Sequence, residues 1–150
     1  MVMEHLSGLM TREESDGFIK ETEAFWDLHG YGRWAVEVPG EAECIGFVGV
    51  QTLPYLAQDE IGWRLARASW GRGYATEAAR AALADAFDRV VLDEIVSVTV
   101  PANTRSLRVM EGIGMIHDPA RDFAHPRFPP GHRLSRHVLY AMTREQWLVR

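Results

Sequence analysis

Cysteine is almost absent: Cys44 stands alone among 150 residues. One thiol closes no internal disulfide and argues against a cysteine-based metal site. Lysine is as scarce, since Lys20 is the only one. Basic charge therefore falls to arginine, and the formal net charge is -5. A chain of this balance is a poor candidate for sequence-independent nucleic-acid binding and has no lysine-rich patch for a membrane surface. No apolar run approaches the roughly 18–20 residues of a membrane span. The opening Met1-Val2-Met3-Glu4-His5 lacks a basic segment followed by an apolar one, so no secretory signal is expected and a cytoplasmic location is. Repeats and low-complexity tracts are missing too. What remains is ordinary, with 47% apolar and 25% charged residues, enough for one compact domain over residues 1–150 with a sizeable core.

Local patterns place the elements. Thr11-Arg12-Glu13-Glu14 reads as a capping box opening a helix, with Phe18, Thr22, Phe25 and Trp26 on one face and Gly30 at its end. Strands are expected over Arg33 to Val38, Glu43 to Leu53 and Asp59 to Leu65, the first two as a hairpin around Pro39-Gly40-Glu41. An Ala-rich helix follows from about Tyr74 to Arg89, its buried stripe being Ala75, Ala79, Leu83, Ala86 and Val90. Glu94 to Val100 is a β-branched strand, Asn103 caps a helix through about Glu111, and Gly112 and Gly114 end it. Residues 117–136, rich in proline, read as mostly irregular loop; His137 to Met142 reads as a last strand, with Trp147 packing the C-terminal segment down. Hairpin strands followed by β-α-β predict an α/β fold with a mixed sheet and helices on its faces.

The glycine turn Trp70-Gly71-Arg72-Gly73 stands directly before a helix. There the free amides of the first helical turn favour an anion, although such a turn can also merely join strand to helix. Two nucleotide-binding patterns fail. No Gly-Lys-Ser/Thr tripeptide exists for a P-loop, and the dinucleotide fingerprint fails on Thr76, on Arg67 to Trp70 between strand and glycines, and on the missing acid after Val100.

Trp70-Gly-Arg-Gly-Tyr-Ala-Thr-Glu-Ala resembles motif A of the GNAT superfamily of acetyl-coenzyme A-dependent N-acetyltransferases, in the branch that includes the ribosomal-protein-alanine acetyltransferases. Cys44-Ile-Gly-Phe-Val-Gly resembles that family's third strand and Asp59-Glu-Ile-Gly-Trp-Arg-Leu its fourth. Asn103-Thr-Arg-Ser-Leu-Arg-Val-Met-Glu-Gly-Ile-Gly-Met resembles its Asn-x-x-Ser segment, and His137-Val-Leu-Tyr-Ala-Met-Thr-Arg-Glu-Gln-Trp its closing strand. The resemblance spans about residues 11–148 and implies a mostly antiparallel sheet with a splayed strand pair. It implies that the turn Trp70, Gly71, Arg72, Gly73, Tyr74, Ala75 and Thr76 holds the pyrophosphate of acetyl-coenzyme A. It further implies that Leu65 and Arg67 pair their backbone with the pantetheine arm, that Asn103 hydrogen-bonds that arm, and that Ser106 gives a proton to the leaving thiolate.

The chain departs from the family pattern at three points. Met110 stands where many members have a tyrosine acid, Trp70 where Gln or Arg is usual, and Gly114-Met115 where Gly-Phe is usual. Family members also begin with a further strand and helix, whereas this chain starts near the second helix. The expectation is therefore a homodimer covering the Phe18, Phe25 and Trp26 stripe. Glu60 is the candidate general base, because an amine must be neutral to attack a thioester; the plain alternative is a solvated strand-end carboxylate. Ser106 has its own plain alternative, a serine bonding first-turn amides. His117, His125, His132 and His137 make no helical ligand pair, so solvated loop histidines and no metal are expected. Arg121, Arg127, Arg133 and Arg136 read as a contact for an acidic acceptor or as solvated surface. Trp26, Trp34 and Trp63 read as acceptor-groove wall or as core, and Cys44 as a small core residue. The reaction so implied is direct acetyl transfer to a primary amine, of a protein N-terminus or a small molecule. The rival functions are a catalytically weak coenzyme A sensor or scaffold and a structural subunit with a vestigial site.

Overall fold

The structure is a computed structural model that describes residues 11–150, so the opening Met1–His5 lies outside the described residues. Helix α1 (Arg12–His29) is set by its capping box, in which Glu14 N–H donates to Thr11 Oγ1 and Thr11 N–H to Glu14 Oε2. Gly30, at φ 71°, closes it. Three antiparallel strands follow: β1 (Arg33–Val38), β2 (Ala42–Leu53) and β3 (Gln58–Leu65). A 3-10 turn over Arg67–Ser69 leads to α2 (Tyr74–Ala84), then β4 (Glu94–Thr99), α3 (Thr104–Gly112), β5 (Ile116–His117), β6 (Phe123–Ala124), β7 (Arg136–Thr143) and α4 (Arg144–Leu148).

The sheet runs β1-β2-β3-β4-β7-β5, with β6 also on β7. Strands β2 and β3 pair along their length, from Gly46↔Leu65 to Leu53↔Gln58. Strands β4 and β7 pair from Glu94↔Thr143 to Thr99↔Val138. Between β3 and β4, the one parallel junction, the register holds a single pair, Glu60↔Val96. Beyond it the two strands diverge, as the splayed pair required. Ser97 Oγ–H, buried, donates to Ile61 O at 2.9 Å and ties the strands just where they part. On one sheet face Val48, Val50, Ile61 and Ile95 meet Ala79, Ala82, Leu83 and Phe87 in the core. Burying such side chains is worth about 1.5–3 kcal/mol each for the larger ones.

Several local expectations are corrected. The helix expected to reach Arg89 is α-helical only to Ala84; Asp85–Val90 form a π-helical turn that ends on Val91 at φ 65°. The widened turn buries both Ala86 and Phe87, and Phe87 stacks on Trp147 at 5.7 Å. Ala75 and Val90 are only half-buried, while Ala82 joins the stripe. The 117–136 segment is better ordered than a plain loop, because the Asp122 carboxylate accepts from Leu139 N–H at 3.0 Å and sits 3.0 Å from His117 Nε2. Cys44 is exposed rather than core. Phe18 packs against Phe47 of the chain's own hairpin, Phe25 against Tyr31 in the link between α1 and β1, and Trp26 lies on Trp34. Among the described residues no helix is long and apolar enough to cross a membrane.

Candidate active site

The gap between β3 and β4 opens into a cavity of about 570 Å³. Its lining includes Glu60, Leu65, Trp70, Gly71, Gly73, Tyr74, Ala75, Thr76, Asn103 and Ser106. Ten of the twelve residues singled out from sequence are thus brought together. Arg67 and Arg72 do not line it. Arg67 lies past the end of β3 in the 3-10 turn, exposed, with its carbonyl taken by Trp70 N–H. Arg72 holds Glu41 with both guanidinium nitrogens at 2.7 and 3.0 Å. Its side chain is thus turned to the β1–β2 hairpin, and only its main chain is left for a ligand.

At the α2 end the site is made of backbone. Gly71 and Gly73 hold φ 73° and 82°, the left-handed region that glycine takes without penalty. Glu77 N–H makes the first helical bond, to Gly73 O, so the amides of Tyr74, Ala75 and Thr76 have no partner within the helix. A Cβ on Gly73 would meet nothing within 4 Å. This open, donor-lined turn fits a phosphate group. Trp70 closes one side, with its indole N–H on Leu65 O at 2.9 Å and the Arg105 guanidinium 4.5 Å over its ring. Arg105 and Arg108 also line the cavity and add positive charge there. The sequence reading missed both; their place in the first turns of α3, one on each side of Ser106, was the available signal.

At the start of α3 three side chains interlock. Asn103 Oδ1 accepts from Ser106 N–H at 3.3 Å, and Asn103 Nδ2 donates to Thr99 Oγ1 and Ser106 Oγ, both at 3.0 Å. Both amide hydrogens of Asn103 are spent. The side chain keeps one oxygen lone pair for any arm in the slot, less than the sequence reading assigned it. Ser106 Oγ accepts from Asn103 and so keeps its own proton to give. Met110, buried at the cavity floor, has none.

The other sheet face carries the charge. Alternation puts Arg33, Phe47, Gln51, Glu60, Gly62 and Arg64 on that face, opposite the helix-packed core. The Glu60 side chain is 13% exposed. Burial pushes its carboxyl up to about 7, against the lowering pull of Arg33 at 4.0 Å and of Val98 N–H. A carboxyl held there is matched to proton transfer near neutral pH. Tyr55 stands close by, its hydroxyl pushed up to about 12 by burial and by the Glu60 charge. Trp63 lines the cavity, whereas Trp26 and Trp34 do not. His125 and His137 are half-buried and pack together at 4.8 Å beside Tyr55 and Phe123, and partial burial lowers both. Arg121 is held by Glu94 and Asp118, away from the cavity.

A family profile described as an acetyltransferase (GNAT) domain matches residues 1–116. YkkB of Bacillus subtilis (strain 168) is 33% identical over 116 residues, 76% of this chain and 67% of that protein. The Aspergillus fumigatus protein named FsC-acetyl coenzyme A-N(2)-transacetylase is 32% identical over 127 residues, 79% of this chain and 53% of that protein. This chain thus spans about two thirds of the first curated relative and about half of the second. Among solved structures, a GNAT-family acetyltransferase from Bacillus anthracis superposes with a TM-score of 0.77 at 30% identity, covering 96% of this chain and 82% of that one.

Proposed function

Because the chain belongs to the GNAT acetyltransferase family, we propose that it transfers the acetyl group of acetyl-coenzyme A to the nitrogen of a primary amine by direct attack. The observation that carries the reading is the single cavity joining the phosphate-ready turn of α2 to the buried carboxylate of Glu60 through the β3–β4 gap. The amides of Tyr74, Ala75 and Thr76, with Arg105 and Arg108, suit the diphosphate end of the cosubstrate. The slot past Leu65 suits its extended arm. When bound, the cosubstrate supplies an activated thioester. Glu60 takes a proton from the acceptor nitrogen. That nitrogen forms the new C–N bond as the C–S bond breaks; Ser106 gives its proton to the departing sulfur and regains one from solvent, to which Glu60 releases the proton it took. Asn103 positions Ser106 and is not itself a proton donor. The name of the Aspergillus fumigatus relative, FsC-acetyl coenzyme A-N(2)-transacetylase, is in keeping with a nitrogen acceptor.

The narrower likeness to ribosomal-protein-alanine acetyltransferases, a cytoplasmic setting and a homodimer belong to the same proposal. The lone exposed thiol of Cys44 suits a reducing compartment. Strand β1 ends the sheet on one side, which is the edge a two-fold partner would cover. A single species near 17.0 kDa in sedimentation equilibrium at micromolar concentration would remove the homodimer. The reaction itself is tested by thiol release from acetyl-coenzyme A against a panel of amines and N-terminal peptides. Release that depends on the amine is expected. Tight coenzyme A binding with no release from any amine would leave only a binding module.

A further inference from the structure

Two buried side-chain polar atoms among the described residues have no hydrogen-bond partner: Arg33 Nε and Gln51 Oε1. Native interiors leave few such atoms, and each calls for an explanation. Both belong to the Glu60 face of the sheet. Gln51 stands opposite Glu60 in the β2–β3 register, at the separation where cross-strand side chains meet. Arg33 stands opposite Gly49, which itself stands opposite Gly62. The row beside Arg33 is thus two glycines, and a Cβ on Gly62 would stand 3.6 Å from Glu60 Oε2, so the Glu60 carboxylate lies beside that row. The guanidinium lies 5.3 Å from the ring centres of both Phe18 and Phe47, which fixes its plane. Its nearest nitrogen to Glu60 is 4.0 Å away, an ion pair too long for a hydrogen bond.

The result is a two-part arrangement on the cavity wall. One carboxylate can take a proton from nitrogen, and one guanidinium has donors to spare for an anion. We infer that the acceptor is a small amine that also bears a carboxylate, an amino acid, with its nitrogen on Glu60 and its carboxylate on Arg33. A planar guanidinium fork matches a carboxylate in shape and charge. A phosphate dianion fits less well, because it brings twice the negative charge of a carboxylate within a few ångströms of Glu60. Arg64, on the same cavity wall, adds positive charge that works against a polycationic acceptor. The assignment rests on the acetyl-transfer reading of this site and narrows it: a protein N-terminus has no carboxylate beside its amine.

The test is a binding measurement that needs no turnover. The full chain, saturated with coenzyme A, is titrated calorimetrically with a set of free amino acids and with the primary amide of each. At least one acid should bind ten-fold or more tighter than its amide, the usual worth of a charge-assisted hydrogen bond. Arg33→Gln should erase that gap without changing coenzyme A affinity, and Arg33→Lys should restore part of it. Amides that bind as tightly as the acids, or diamines and aminoalkyl phosphates that bind tighter, would overturn the inference. The acid–amide comparison in the unaltered protein stands even where Arg33→Gln fails to fold. An amino acid that binds but releases no thiol in the acetyl-transfer assay would sink the reaction and leave this site in place.

Discussion

The two ends of the cavity are built from different material. At the α2 end the groups proposed to bind are main-chain amides beside glycines of positive φ, and that turn is largely open to solvent. At the Glu60 end they are side chains held on a sheet face by β1, β2 and β3, with a desolvated carboxylate and two unpartnered polar atoms. The first arrangement tolerates many neighbours, because an amide is present whatever the side chain. The second depends on particular residues in register across three strands. The first end suits a cosubstrate shared by a whole family, and the second suits an acceptor peculiar to this chain.

The sharpest way to break that division is Glu60→Gln. Turnover should fall by about 10²–10⁴, the range for a lost general base, while coenzyme A affinity measured by calorimetry stays unchanged. A matching loss of coenzyme binding would mean that the two ends are one unit. In the unaltered protein kcat/KM should rise with pH through about 7, as Glu60 loses its proton. Stability carries the opposite sign. A carboxyl raised in the folded state holds its proton more tightly than in the unfolded chain, so its contribution falls as pH rises from about 4.5 to about 7. Glu60→Gln should therefore lessen the drop in Tm over that window, which calorimetric scans at pH 4.5 and 8 would read.

A smaller effect should come from Ser106→Ala. Thiolates leave readily, so a loss of about ten-fold to a hundred-fold in kcat is expected, with coenzyme affinity near that of the unaltered protein. Asn103→Ala should move the same way more weakly and also lower stability by about 1 kcal/mol, since it removes the cap of α3. A Ser106→Ala rate equal to that of the unaltered protein, under conditions where chemistry limits, would take this hydroxyl out of the mechanism.

The smallest effect on turnover at saturating cosubstrate should come from Gly73→Val. A Cβ there enters open space where a phosphate would lie, and the positive φ strains a β-branched residue by about 1–2 kcal/mol. Calorimetry should read coenzyme A affinity weakened about ten-fold or more, with kcat at saturation little changed. Unaltered affinity in a folded variant would displace the phosphate site from this turn.

The same contrast explains what could be read before the fold was seen. The α2 end is contiguous in sequence: Gly71, Gly73 and the following helix carry their own geometry, and Asn103 with Ser106 lies within one helical turn. Arg67 lies off the cavity because the chain turns into a 3-10 segment one residue after the strand, a boundary no local pattern marks. The side chain of Arg72 is tied to Glu41 by an ion pair between segments thirty-one residues apart, which no local pattern shows. At the Glu60 end the sequence marks Glu60 and, as groove wall, Trp63. Arg33 and Gln51 look like ordinary strand residues until the register sets them beside Glu60, and register is a long-range property. The π-helical turn at Asp85–Val90 and the short strands β5 and β6 were hidden for the same reason. They depend on Trp147 and on the Asp122 carboxylate, which arrive from elsewhere in the chain.

The single rung between β3 and β4 gives the molecule a sheet edge on its inside. On an outer rim, strand edges with unpaired amides and carbonyls invite other polypeptides to add on, and proteins blunt them with charge, proline or bulges. Here the margin past Glu60 faces a cavity lined by α3 and by the start of α2 instead of an outer rim. An opening of that kind suits one extended, flexible tether. The fold thereby keeps a surface suited to strand addition without the risk of aggregation that such surfaces usually bring.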